Sequence, residues 1–107
     1  LNYDGPTFLH MLGPCPKGWK FDEKLTLDMG RLAVETGMWT LYEWENGQYK
    51  YTHIPKKYKP VGEYMKTQGR FNHLNEEHIA KMQAFVDEKI SRIKAIAVEA
   101  PIPTPKV

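Results

Sequence analysis

Apolar residues follow several different rhythms along this chain. From Thr7 to Leu12 they run almost unbroken as TFLHML, with His10 the one polar interruption and Asp4-Gly5-Pro6 and Gly13-Pro14 on either side. So short a run between turn residues predicts a buried strand. Residues 13–23 are rich in Gly and Pro and predict a loop. Leu25, Met29, Leu32, Ala33 and Thr36 then recur at the spacing of one helix face. Thr26 is placed to cap that helix, Asp28 to suit its dipole, and Gly37 to take the left-handed conformation beyond its end. Trp39 to Thr52, WTLYEWENGQYKYT, reads as a β-hairpin about a type I′ turn at Asn46-Gly47.

Beyond a basic connector, Pro60 can occupy the first position of a short helix over 61–68, ended by Gly69. Asn75 precedes Glu76-Glu77 as the cap of a long helix. Its apolar stripe is Ile79, Met82, Val86, Ile90, Ile93 and Ala97. Asp87, Glu88, Lys89, Arg92 and Lys94 are assigned to its wet face; Pro101 stops it, and PIPTPKV is read as an extended tail. Strand, loop and helix in that order are the grammar of an α/β fold, in which sites gather at the strand ends. One strand, one hairpin and three helices offer little core for so many large side chains. Burial of part of this surface against other protein is expected.

Composition narrows the class. The chain has 107 residues, is 41% hydrophobic and 26% charged, and carries a net charge of only +2. That balance suits a globular domain and offers no electrostatic footprint for nucleic acid. No apolar run approaches the ~18 residues of a membrane span, so no membrane is implied. LNYDGPTFLH lacks the basic start and apolar core of a signal peptide. A single cysteine excludes an internal disulfide and suits a reducing, cytoplasmic setting. The first residue is Leu and opens almost directly on the strand-like run, which reads as a piece whose N-terminal part lies elsewhere.

That cysteine, Cys15, stands between two prolines in GPCPKGW. Three readings are open: a small structural residue, a nucleophile activated by Lys17 or His10, or a metal or cluster ligand. Thiolates followed directly by proline recur as iron–sulfur ligands, but a four-iron cluster takes four of them. His10, His53, His73 and His78 show no metal-ligand spacing and read as polar surface or capping residues. Lys50, Lys56, Lys57 and Lys59 read as a solvated connector. No phosphate loop, acidic metal motif or triad signature is present.

GPTFLHMLGPCPKGW, RLAVETGMWTLYEWENGQYK and PVGEYMKTQGRF together carry a resemblance covering roughly Leu1 to Asn75. They are similar, in order, to the C-terminal end of the thiamine-diphosphate-binding beta subunit of 2-oxoacid:ferredoxin oxidoreductases, most of all the pyruvate enzymes. The resemblance implies an α/β fold. Residues 1–37 would hold the last strand and helix of the thiamine-diphosphate-binding domain with the cluster-ligand loop. Residues 38–107 would form a C-terminal extension of hairpin, short helix, long helix and tail. It also implies oxidation of pyruvate with coenzyme A to acetyl-CoA and carbon dioxide, the electrons passing to ferredoxin, or the reverse as a synthase.

Thiamine diphosphate and Mg2+ belong to the complete subunit, and this chain lacks the Gly-Asp-Gly segment that would hold them. By carry-over, Cys15 is the fourth ligand of a 4Fe-4S cluster whose other cysteines lie outside the chain. The amides of Lys17 and Gly18 are candidate donors to its sulfurs. Partners would be the remainder of the beta subunit, the other subunits and ferredoxin, an acidic protein that Lys56, Lys57 and Lys59 could steer. Two other readings stand beside this one: the same chemistry on oxalate, 2-oxoglutarate or a branched 2-oxoacid, and a non-catalytic interaction module with a structural Cys15.

Overall fold

The structure is a computed structural model and describes residues 4–98. Four α-helices are α1 (Pro16–Trp19), α2 (Thr26–Glu35), α3 (Val61–Lys66) and α4 (Glu76–Ile96). The strands are β1 (Leu41–Glu45), β2 (Gln48–His53) and β3 (Ala97–Val98). Single turns of 3-10 helix, Glu23–Leu25 and Gly69–Phe71, precede α2 and follow α3.

Helices α2, α3 and α4 close the core. Ala33, Val61, Tyr64, Met65 and Val86 form its buried cluster, with Leu32, Ile79, Met82 and Ile90 packed against it. Helices α2 and α4 thus contribute from the faces their spacing marked. Pro60 stands just before α3 as its cap position, not inside it at the first helical position as the sequence suggests. Proline offers no side-chain acceptor, so α3 is capped from a distance: the Val61 amide donates to Gln83 Oε1 of α4 at 2.9 Å. α4 begins as predicted. Asn75 Oδ1 accepts from the His78 amide and His78 Nδ1 accepts from the Asn75 amide, a reciprocal box with histidine in the usual Glu position.

The hairpin also forms as its turn demands. Asn46 and Gly47 both take positive φ, 52° and 75°. Trp44 faces Tyr49, Tyr42 faces Tyr51, and a bulge between Leu41 and Tyr42 shifts the register. Strand β3 adds parallel to β2, placing Tyr49 beside Ala97 and Lys50 beside Val98. The sequence pattern carries the long helix through Ala97, but α4 ends at Ile96 and Ala97 opens this third strand. The tail beyond it lies outside the described residues, as does Pro101.

Four expectations are corrected. Thr7–Leu12 forms no strand and pairs with no strand among the described residues, and Phe8, Leu9 and Met11 are 90%, 78% and 76% exposed. An apolar run becomes a buried strand only where a neighbouring edge accepts its hydrogen bonds, and none reaches this segment. Thr26 does not cap α2. Its hydroxyl donates backward to the Glu23 carbonyl at 2.6 Å, and Asp22 caps the preceding 3-10 turn through the Lys24 amide. Residues 13–23 are not all loop, because α1 interrupts them.

Lys89, assigned to the wet face, is half-buried and donates from Nζ to the Met38 carbonyl at 3.0 Å. Burial lowers its pKa. An unfolded chain therefore holds this proton at pH values where the native chain has begun to release it. Between the lowered pKa and the ordinary lysine value of about 10.4, native stability gains from rising pH. Lys89→Met is expected to flatten that part of the profile, measured as the difference between the urea midpoints of the two proteins across the alkaline range.

Candidate functional site

Proline sets the path of the Cys15 loop. Cys15 precedes a proline and is extended, with φ −115° and ψ 103°. Pro16 then opens α1, where its fixed φ suits the first helical position and its missing N–H costs nothing. The Cys15 side chain serves as the cap of this turn: Sγ accepts from the Gly18 amide at 3.3 Å, and the Cys15 carbonyl accepts from the Trp19 amide at 2.8 Å. Cys15 itself is exposed.

The sulfur is closely bounded. A Cβ on Gly18 would stand 3.2 Å from Cys15 Sγ, and one on Gly30 of α2 would meet Pro14 at 3.7 Å. Lys20 ends α1 in the left-handed region with φ 59°. Its carbonyl accepts from the Gly69 amide at 2.8 Å, tying the loop to the turn after α3. A Cβ on Gly69 would lie 2.7 Å from Lys20 Cβ and 3.1 Å from its carbonyl oxygen. Neither neighbour is the free end of a side chain. Gly69→Ala is therefore expected to cost about 1–3 kcal/mol through overpacking, read from chemical denaturation.

A second tie runs through side chains. The Arg70 guanidinium lies 4.0 Å from the centroid of the Trp19 ring and 4.5 Å from that of Phe71. Arg70 Nε donates to Gln68 Oε1 at 2.6 Å and Nη2 to the Tyr64 hydroxyl at 3.3 Å. Gln68 is fully buried and its own amide donates to the Tyr64 carbonyl at 2.9 Å. Trp19 also meets the Tyr64 ring edge-on, with centroids 6.2 Å apart. Sequence reasoning missed Tyr64, Gln68 and Arg70, and read Gly69 as the end of a helix that in fact closes at Lys66. Nothing in the spacing of TQGRF points at a loop so distant in the chain.

The other candidates scatter. His10 packs edge-on against Trp39 at 4.7 Å, and His78 caps α4. Among the described residues no hydrogen bond joins Cys15 to His10 or Lys17, which leaves the nucleophile reading without a base. Lys59 turns to Glu35 at 2.9 Å and its pKa is raised by that hydrogen bond, so the basic connector presents Lys56 and Lys57 outward.

Among the described residues no group of three or more His, Cys, Asp or Glu could hold a metal ion. One exposed thiol, already accepting an amide hydrogen bond, fits one corner of a thiolate-held cluster and no more. Nothing here fits magnesium or a diphosphate. No helix of the described residues is long and apolar enough to cross a membrane.

No protein-family model matches the chain. Individual proteins do. Pyruvate synthase subunit PorB of Methanocaldococcus jannaschii is 48% identical over 89 residues, which are 83% of this chain and 30% of that protein. PorB of Thermotoga maritima is 41% identical over 98 residues, 87% of this chain and 30% of its own length. Ketoisovalerate oxidoreductase subunit VorB of Pyrococcus abyssi is 41% identical over 96 residues, with the same two shares. The chain spans about 30% of the length of these relatives, and by sequence it is a homologue of that segment of the PorB and VorB subunits.

Proposed function

We propose that this chain is the C-terminal segment of the beta subunit of a pyruvate:ferredoxin oxidoreductase and that Cys15 supplies one thiolate to a 4Fe-4S cluster. The observation that carries the reading is an exposed thiol held by an amide between two prolines, within a sequence 48% identical to a PorB subunit. The cluster would supply one-electron acceptance; thiamine diphosphate and magnesium would belong to the remainder of the subunit. This chain's own work is to orient. Pro14 and Pro16 restrict the backbone beside the sulfur, and the Gly18 amide disperses thiolate charge. The Lys17 amide is the second candidate donor.

The exposed strip Phe8, Leu9 and Met11 would be covered by the rest of the subunit, where an adjoining strand edge could pair it. Lys56 and Lys57 remain as a basic surface toward an acidic ferredoxin in the cytoplasm. The test is the iron content and electron paramagnetic resonance (EPR) signal of the assembled enzyme carrying Cys15→Ala. An intact signal would return Cys15 to a structural role.

A second reading keeps the chemistry and changes the substrate. The VorB subunit of Pyrococcus abyssi is 41% identical to this chain, as is the Thermotoga PorB, so a branched 2-oxoacid stands as the second candidate behind pyruvate. Assays of the assembled enzyme on pyruvate and on 2-oxoisovalerate separate the two.

A further inference from the structure

We propose that Arg70 is a positioning residue for the Cys15 sulfur. It would act through Trp19 to hold α1 in the one orientation that aims the Gly18 amide at Cys15 Sγ. The proposal rests on the reading of Cys15 as a cluster ligand.

The guanidinium is held at several points. Its carbon lies 4.0 Å from the Trp19 ring centroid and 4.5 Å from that of Phe71, while Gln68 and Tyr64 accept from its Nε and Nη2 donors. Gln68 cannot turn away, because it is fully buried and bonded to the Tyr64 carbonyl. Tyr64 belongs to the core cluster of α2, α3 and α4. A chain of polar contacts thus runs from the core through Tyr64, Gln68 and Arg70 to Trp19, and adds to the direct packing of Trp19 on Tyr64 and the core cluster. From there one helical turn leads to the Cys15 carbonyl, which accepts from the Trp19 amide at 2.8 Å.

α1 has four residues and cannot hold its own geometry. Without an outside hold on Trp19, the Gly18 hydrogen bond to sulfur would fluctuate. Hydrogen bonds to cluster sulfurs and ligand thiolates help set the reduction potential, because they favour the more negative, reduced state. A weakened bond lowers the potential, and a variable one spreads it.

Lysine in place of Arg70 keeps the charge but loses the planar fork that engages Gln68 and Tyr64 together. In the assembled enzyme, Arg70→Lys is expected to shift the cluster midpoint to more negative potential and to broaden its EPR signal, at native iron content. Trp19→Phe should move both readouts in the same direction. Arg92→Lys, on an exposed face of α4, should move neither.

Loss of the cluster from a fully assembled Arg70→Lys complex would also support the proposal. A native midpoint and line shape in both variants would overturn it, as would failure of both variants to assemble, since the contact would then hold the fold and not the site. If Arg70→Lys alone fails to assemble, Trp19→Phe decides. The two layers separate cleanly. Cys15→Ala with an unchanged cluster sinks the ligand reading; Cys15→Ala without a cluster, beside a native Arg70→Lys, sinks only the positioning role.

Discussion

With Cys15 as the proposed cluster ligand, Cys15→Ala should strip the cluster signal from the assembled enzyme and abolish electron delivery to ferredoxin, while leaving the chain folded. The asymmetry follows from where the thiol sits. It is exposed, and its contact within the chain is one amide hydrogen bond at the head of a four-residue helix. Losing such a cap costs about 0.5–2 kcal/mol, with the low end expected for a sulfur acceptor. Thermal denaturation should therefore move by a few degrees at most. Cys15→Ser sharpens the test. A serine hydroxyl can accept from the Gly18 amide and preserve the turn, but it is a far poorer match than a soft thiolate for iron–sulfur chemistry. Native stability with a lost or strongly altered cluster in Cys15→Ser, set beside the alanine variant, separates ligation from capping.

Gly37→Ala carries the largest expected loss of stability, about 2–5 kcal/mol. Two causes add. Gly37 has φ +81°, where an L-residue costs about 1–2 kcal/mol more than glycine. A new Cβ would also stand 2.7 Å from Ile90 Cδ1 and 3.1 Å from Val86 Cγ1, in the seam between the end of α2 and the middle of α4. Ile90 can swing its terminal methyl aside, whereas Val86 is fully buried and branched at Cβ. Overpacking of this kind costs about 1–3 kcal/mol. Urea denaturation of Gly37→Ala, alone and combined with Ile90→Ala, separates the contributions: the truncation should relieve the contact with Ile90 and leave the backbone strain and the contact with Val86. A loss below about 0.5 kcal/mol would mean that α2 and α4 part freely to admit the added methyl group.

The features legible in the sequence were those decided within a few residues. Asn46-Gly47 could make little else than a tight hairpin turn, and both residues take the positive φ it needs. Asn75 and the stripe through Val86 specified α4 with its start, and Gly37 ended α2 as expected. The misses share a non-local cause. Thr7–Leu12 has strand composition but no edge to join among the described residues. Lys89 looked wet until the chain turned its Met38 carbonyl toward it. At the site, Cys15 could be singled out by its prolines, whereas the hold on its loop comes from Gly69 and Arg70 after α3. Such pairings are set by tertiary packing, and no periodicity records them.

The bond from the Gly69 amide to the Lys20 carbonyl has a consequence for biogenesis. Both of its ends, like both ends of the stack of Arg70 on Trp19, belong to this one chain. The contacts that orient the sulfur are therefore internal to this chain. With Cys15 as the proposed ligand, the conformational entropy of fixing this corner would be lost as the chain folds and not at cluster insertion.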